Sequence, residues 1–299
     1  MPVVFCVIGD MGSGNKDQYK IGKILGNSIK KNNAEFVLGL GDNIYDAGVS
    51  SVNDKQFIMK FEKPYEMIPD KIKFYMLIGN HDYGRYWDRF FKPRWQYQIG
   101  YSILSEKKGG KWVMPNNYYM FSKAKNGCHI DFFCIDTNID MMDKKIKQEQ
   151  SRAISKMIKS SNADWKILCG HHTYRSIAGH GNASPELERY LNNFLKLGID
   201  IYCNGHDHNS QVVTRKLNGK IITILQSGTG GKRYHDHTIN LDNVLLAKDT
   251  ELIYHDEKLG FMNLFAYPSK INVEFIGENG RKKYSYTILK NVINYKILK

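Results

Sequence analysis

Five apolar runs of strand length in this sequence stop at or just before a glycine that is followed by a residue able to bind a metal. The runs are 3–8 before Gly9-Asp10, 36–40 before Gly41-Asp42, 74–78 before Gly79-Asn80, 166–169 before Gly170-His171, and 199–203 before Gly205-His206. Taken singly, Gly-Asp or Gly-Asn after a strand is an ordinary Asx turn, and a lone histidine is an ordinary core or surface residue. The repetition is what constrains the fold. Open α/β sheets present ligand sites beyond the carboxyl ends of their strands, so residues spread from position 10 to position 206 can converge at one edge.

Between these runs the pattern alternates. Ile21, Ile24, Leu25 and Ile29 predict a helix over 17–31, and Phe57, Ile58, Phe61 and Tyr65 predict another. Further helices are predicted near 144–160 and 184–197, with a strand at 130–135. Past residue 205 the character changes. Asn218-Gly219 lies between 211–217 and 220–226, and Glu278-Asn279-Gly280 lies between 271–276 and 283–289, both reading as antiparallel hairpins. A parallel αβ half followed by an antiparallel half implies two sheets packed face to face with helices outside. No linker, low-complexity stretch or fixed-period repeat interrupts the chain, which predicts one domain over 1–299.

Composition narrows the function classes. The chain has 43 Lys+Arg against 30 Asp+Glu, a net charge of +13, which favours anionic partners. Its lysine pairs (Lys30-Lys31, Lys107-Lys108, Lys144-Lys145, Lys282-Lys283) are scattered and not interleaved with aromatics, so nucleic-acid binding is not expected. No apolar run approaches the roughly 18 residues of a membrane helix. The opening run is also too short for a signal peptide, so a soluble chain is expected with its compartment open. Cys6, Cys134, Cys169 and Cys203 sit in apolar runs and Cys128 at a turn. An odd count without a C-x-x-C pair argues for buried thiols over disulfides or a zinc knuckle.

In order, Gly9-Asp10, Gly41-Asp42, Gly79-Asn80-His81-Asp82, Gly170-His171 and Gly205-His206-Asp207-His208 resemble the motif series of calcineurin-like metallophosphoesterases. Within that superfamily the chain is similar to purple acid phosphatases of the small, tartrate-resistant type. Gly12 stands where the wider family has the histidine of D-x-H, and Tyr45 stands three after Asp42. The likeness continues through 112–119, 176–181, 205–209 and the closing hairpin. It implies a four-layer α/β/β/α sandwich of two mixed β-sheets flanked by helices, and hydrolysis of phosphate monoesters by hydroxide generated at a dinuclear centre. Hard anionic oxygens suit a trivalent ion, whereas imidazole and carboxamide suit a divalent one. On that logic Asp10, Tyr45 and His208 are expected to hold Fe(III), and Asn80, His171 and His206 a divalent ion (Fe, Zn or Mn), with Asp42 bridging. His81 and His180 match the positions that bind phosphate and assist the leaving group, a task suited to a side chain titrating near the working pH.

The resemblance further implies phosphomonoester substrates, phosphoproteins or nucleotides among them, with inorganic phosphate as product. It suggests a secretory or lysosome-like compartment, and a monomer is expected. Two alternatives stand beside it: a phosphodiesterase or neutral metallophosphoesterase with the same metal cage, and a non-catalytic phosphatase-like scaffold. Several nearby residues carry plainer expectations. His172 reads as a rim or structural residue, His235 and His237 as part of a solvated loop, and Asp82 and Asp207 as anchors for histidines. Asn182-Ala183-Ser184 is a glycosylation sequon that matters only in a secreted protein. The segment between Asp136 and Trp165 is shorter than in mammalian members, where an exposed loop covers the site and a disulfide ties neighbouring segments. The matching cysteines are absent, so control through that loop is not expected.

Overall fold

Alternation within single strands builds the layers of this molecule. The computed structural model describes residues 1–85, 87–88, 92–233, 240 and 249–290. Strand β1 (Val3–Ile8) is followed by helix α1 (Lys16–Asn32), β2 (Phe36–Gly39) and β3 (Lys73–Met76), then helix α2 (Trp95–Lys107) and β4 (Trp112–Val113). These four strands are parallel neighbours. The hairpin β5 (Tyr119–Lys125) and β6 (Cys128–Cys134) opens the second sheet, followed by α3 (Lys144–Ser160), β7 (Trp165–Cys169), α4 (Pro185–Leu195) and β8 (Ile201–Asn204). Strands β9 (Ser210–Leu217), β10 (Lys220–Ser227) and β11 (Thr250–Asp256) complete that sheet, in the order β11-β9-β10-β8-β7-β6-β5. The chain then returns to the first sheet through β12 (Gly260–Ala266), β13 (Lys270–Gly277) and β14 (Lys282–Leu289). Its order is β14-β13-β12-β1-β2-β3-β4, with β12 antiparallel to β1.

In β1, Val3, Phe5 and Val7 face the core between the sheets, while Val4, Cys6 and Ile8 face an outer layer with Ile21, Leu25 and Ile29 of α1. In β7, Ile167 and Cys169 face inward and Leu168 outward, onto Ile154 and Ile158 of α3 and Leu191 and Phe194 of α4. The result is the expected α/β/β/α sandwich of two mixed sheets. Helix α1 begins where the Asn15 side chain accepts hydrogen bonds from the Asp17 and Gln18 N–H groups. It ends at Asn33, left-handed at φ 53°.

Rings join the sheets. Phe5, Phe36 and Tyr75 of the first meet Phe121 and Phe132 of the second, with Tyr75 stacked on Phe121 at 3.8 Å and Phe5 edge-on to Phe132 at 5.3 Å.

The predicted helix around 57–65 is instead a single π turn, Ile58–Glu62, in which Lys63 N–H donates to the Ile58 carbonyl. Phe57, Phe61 and Tyr65 mimic helical spacing because all three are buried from one side. Neither α2 nor β12 was anticipated. All five cysteines are buried free thiols, and Cys128 opens β6 just past the expected turn. No helix among the described residues is long and apolar enough to cross a membrane.

Phe132 is fully buried at the junction of the sheets. Phe132→Ala is therefore expected to cost about 3–5 kcal/mol of stability, read as a lowered denaturant midpoint with little change in m-value.

Candidate metal centre

All five punctuated strand ends point to one edge. Strands β1, β2 and β3 are parallel in one sheet, and β7 and β8 are parallel in the other. Asp10, Asp42, Asn80, His171 and His206 follow their carboxyl ends by two to four residues. Three of these residues, Asp10 (φ 55°), Asp42 (φ 51°) and His206 (φ 73°), adopt the left-handed conformation, which aspartate and histidine tolerate better than β-branched residues do.

The seven candidate ligands gather into two groups. In one, Tyr45 Oη donates to Asp10 Oδ1 at 2.9 Å and lies 3.1 Å from His208 Nε2, which is 3.4 Å from the same carboxylate oxygen. In the other, Asn80 Oδ1 is 3.0 Å from both His171 Nε2 and His206 Nδ1, and these two nitrogens are 3.2 Å apart. Asp42 Oδ1 lies 3.5 Å from His171 Nε2, and ligand atoms of Asp10, Asp42 and His171 all fall within 4.8 Å of one another. Atoms each about 2.1 Å from a shared ion lie about 3 Å apart at right angles, so the spacing within each group is that of a common coordination sphere. The donor set fits two ions, one side rich in anionic oxygen and the other in imidazole and carboxamide.

The surroundings fix these donors. His171 Nδ1–H donates to the Leu40 carbonyl at 2.9 Å, which leaves Nε2 with its lone pair toward Asn80. Asp10 Oδ2 accepts the His206 N–H at 2.9 Å, tying the first strand end of one sheet to the last of the other. Gly79 has no room for a side chain, since a Cβ there would lie 2.1 Å from Asp42 Oδ1. Gly12 is as confined, its would-be Cβ 1.9 Å from the Asn43 carbonyl oxygen. The backbones at 12 and 42–45 exchange hydrogen bonds in both directions, and this contact carries Tyr45 to Asp10.

Electrostatics match a site built for cations. Burial, then the carboxylates of Asp10 and Asp42, push the Tyr45 phenol well above its ordinary pKa, so its phenolate needs a positive ion beside it. Burial also opposes ionisation of Asp10, but the His208 bond and the charge of His171 outweigh it and hold this carboxyl below the usual range. Burial followed by repulsion from His172 and His171 keeps His206 neutral, the form that can bind a metal.

His81 and His180 flank the two groups. The His81 N–H donates to Asp42 Oδ1 at 3.0 Å, its Nδ1 bonds the Asp46 carbonyl at 2.6 Å, and its Nε2 is 3.9 Å from Asp42 Oδ2. His180 stacks on His206 with ring centroids 4.1 Å apart, and its N–H donates to Asp207 Oδ1 at 2.8 Å. Asp207 thus anchors a histidine through the backbone. Asp82 departs from expectation. It grips no histidine but accepts from the N–H groups of Asn43, Ile44 and Gly79 and from Gln98 Nε2, pinning the loop that carries Asp42 and Tyr45. Burial and the charge of Asp42 push its carboxyl up to about 6. His172 Nδ1 lies 2.8 Å from Thr137 Oγ1 and its ring centroid is 4.5 Å from that of His206, beside the cavity next to the site, in keeping with a rim role. In the sequon, Asn182 Oδ1 accepts from Ser176 N–H and Ser184 caps α4. His235 and His237 lie outside the described residues.

Three contributors were not singled out from the sequence. Thr137 Oγ1 accepts the N–H of both His171 and His172, and follows β6 in another apolar run that ends on a polar residue, Asp136. Lys60, on the π turn, donates to the Tyr45 carbonyl. Lys232 Nζ sits 4.8 Å from the centre of the Tyr45 ring, with no local pattern to announce it.

Residues 3–210 match the family described as calcineurin-like phosphoesterase. The chain belongs to that family. Among curated relatives, Arabidopsis thaliana purple acid phosphatase 3 is 27% identical over 91% of this chain and 74% of its own length. Human tartrate-resistant acid phosphatase type 5 is 27% identical over 69% and 67%. Among solved structures, GAP50, described as the anchor in the inner membrane complex of Plasmodium, superposes with a TM-score of 0.81 at 21% identity, covering 97% of this chain and 89% of that one. Yellow lupin purple acid phosphatase PPD1 gives 0.68 at 19%, covering 96% and 53%. As in this phosphoesterase family generally, metal ions are the implied cofactors, and the two ligand groups are where this chain could hold them.

Ions that bind only the folded protein stabilise it by RT ln(1 + [L]/Kd), about 4 kcal/mol at 1,000-fold excess over Kd. Loading metal-free protein is expected to raise Tm, and removing the ions with a chelator to reverse the rise. His171→Ala is expected to bind one equivalent fewer by metal analysis and to lose part of that gain. Two ions retained at wild-type affinity would remove His171 from the ligand set.

Proposed function

We propose that this chain is an acid phosphatase, hydrolysing phosphate monoesters with an Fe(III)–M(II) pair. Asp10, Tyr45 and His208 would hold the iron, Asn80, His171 and His206 the divalent ion, and Asp42 both. The observation that carries this reading is the pairing of Tyr45 Oη with Asp10 and His208, separate from the Asn80–His171–His206 group. When bound, such a pair supplies Lewis acidity, activates water and offsets charge that develops during in-line displacement.

The chain's own side chains do the rest. His81, held by the Asp46 carbonyl, directs Nε2 toward Asp42 and is placed to bind a phosphoryl oxygen. His180, held through its backbone by Asp207, is placed on the His206 side to give a proton to the departing alcohol as the P–O bond breaks. Burial around Asp10, Asp42 and His171 excludes bulk water and strengthens every charge interaction there.

A second reading, an anchoring scaffold, is favoured by the similarity in fold to GAP50 and opposed by the presence of all seven candidate ligands together with His81 and His180. Metal analysis with turnover of a monoester and a diester, from acidic to neutral pH, separates these readings. A scaffold would show no turnover, and a diesterase would prefer the diester.

Two further outcomes are expected. Iron-loaded protein should show a visible phenolate-to-Fe(III) band that Tyr45→Phe abolishes while the fold survives; a colourless wild type, or a band that persists in the variant, rejects the iron–tyrosinate assignment. His180→Ala should lower kcat roughly 100-fold or more for alkyl phosphates and far less for activated aryl phosphates. An equal loss on both would make His180 a phosphate-positioning residue.

A further inference from the structure

Beside the imidazoles of His180 and His206 lies a cavity of about 300 Å³, near the lower bound of small-ligand sites. Because His180 faces this space, an alcohol protonated by it would depart here, and the cavity is shaped to hold the part of the ester that is not phosphate. One wall is apolar, from Ile139, Met141 and Leu187. Apart from the imidazoles, Asp140 is the one ionisable group among the described residues that line it. It is exposed, and no hydrogen bond or ion pair engages its carboxylate among the described residues.

The turn that carries Asp140 is fixed from below. Asn138 donates twice to Asp136 Oδ1, Gln150 brackets Asp136 through both its N–H and its carbonyl, Ile139 is buried, and Met141 N–H bonds the Asn138 carbonyl. The backbone of residue 140 is therefore held at the cavity's lip, and its side chain is confined to that rim. A chain of net charge +13 attracts phosphate dianions from a distance, yet the wall that meets the rest of the substrate carries the opposite sign.

We propose that this cavity is a leaving-group subsite that selects phosphomonoesters with a neutral or cationic alcohol portion, aminoalkyl esters above all, and that Asp140 is the residue that disfavours anionic ones. The inference rests on the phosphatase reading given above and names its substrate class.

The test uses the full chain loaded with metal, and calorimetric binding of inorganic phosphate, 2-aminoethylphosphonate and 3-phosphonopropionate. Two unit charges a few ångströms apart near a protein surface, partly screened, give an expected preference of about five- to tenfold for the amine over the carboxylate, shrinking as salt is added. Asp140→Asn should bring the two phosphonates within about twofold of each other and leave inorganic phosphate unaffected. The ratio of kcat/KM for phosphoethanolamine over 3-phosphoglycerate should fall in parallel. Equal binding of both phosphonates by wild type, or an unchanged preference in Asp140→Asn, overturns the subsite. If neither phosphonate nor inorganic phosphate binds, the two-ion reading fails and the inference falls with it.

Discussion

Ligands from residues 10 and 208 can reach one point only if strands of two different sheets run out on the same side, and ring packing between the sheets holds that alignment. Phe5 and Phe36 come from the strands that lead to Asp10 and Asp42, and Tyr75 from the strand that leads to Asn80. They press on Phe121 of β5 and Phe132 of β6, and β6 pairs with β7, the strand that leads to His171 and borders the one that leads to His206. Ring contacts are short-ranged and shape-dependent, so they fix the distance between the sheets and their relative slide. A slip of one residue in either sheet would reverse inside and outside along a strand and carry its terminal ligand away from the others.

The centre itself is an assembly of locally unfavourable choices that the surrounding fold sustains. Asp10, Asp42 and His206 sit at positive φ, an arrangement that costs about 1 kcal/mol or more at each position. The Asp10 carboxylate and the Tyr45 phenol are buried side by side, and burial alone disfavours the charged form of each. Asp82 adds a further buried carboxyl beside Asp42, yet it holds the loop in place by collecting three backbone N–H groups and the Gln98 amide from segments that would otherwise need separate partners. Binding two cations would turn the remaining repulsion into attraction, which couples folding to metal loading.

Five candidate ligands, Asp10, Asp42, Asn80, His171 and His206, stood out in the sequence because each follows a strand end, with a strong local signature on one side and a metal-competent side chain on the other, whereas Tyr45 and His208 were named through the family resemblance. What escaped notice lacked that signature. Helix α2 buries Gln98, Ser102 and Ser105 beside Trp95, so its inner face shows no apolar period. Those side chains work as hydrogen-bonding groups instead. Ser102 Oγ accepts from Met114 N–H, Ser105 Oγ from Trp112 N–H, and Gln98 holds Asp82. Lys60 and Lys232 were equally invisible because a long side chain reaches a neighbour chosen by tertiary packing, and nothing beside it in the sequence records that choice. The role of Asp82 was misread for a related reason: its place between His81 and Tyr83 suggests a histidine partner, whereas its carboxylate serves backbone from 39 residues away.

Gly12 has a bearing on how such a centre could change over evolutionary time. Its backbone lies against the Asn43 carbonyl so closely that even a methyl group is excluded, and this contact is what brings the Tyr45 ring over Asp10. Any side chain at position 12 would thus collide with the Asn43 backbone and displace the loop that carries Tyr45. Replacing the glycine would drive the loop off the site, and replacing the tyrosine would leave the group around Asp10 and His208 one donor short. Substitutions at 12 and 45 should therefore be non-additive, because both act on the placement of one donor beside Asp10.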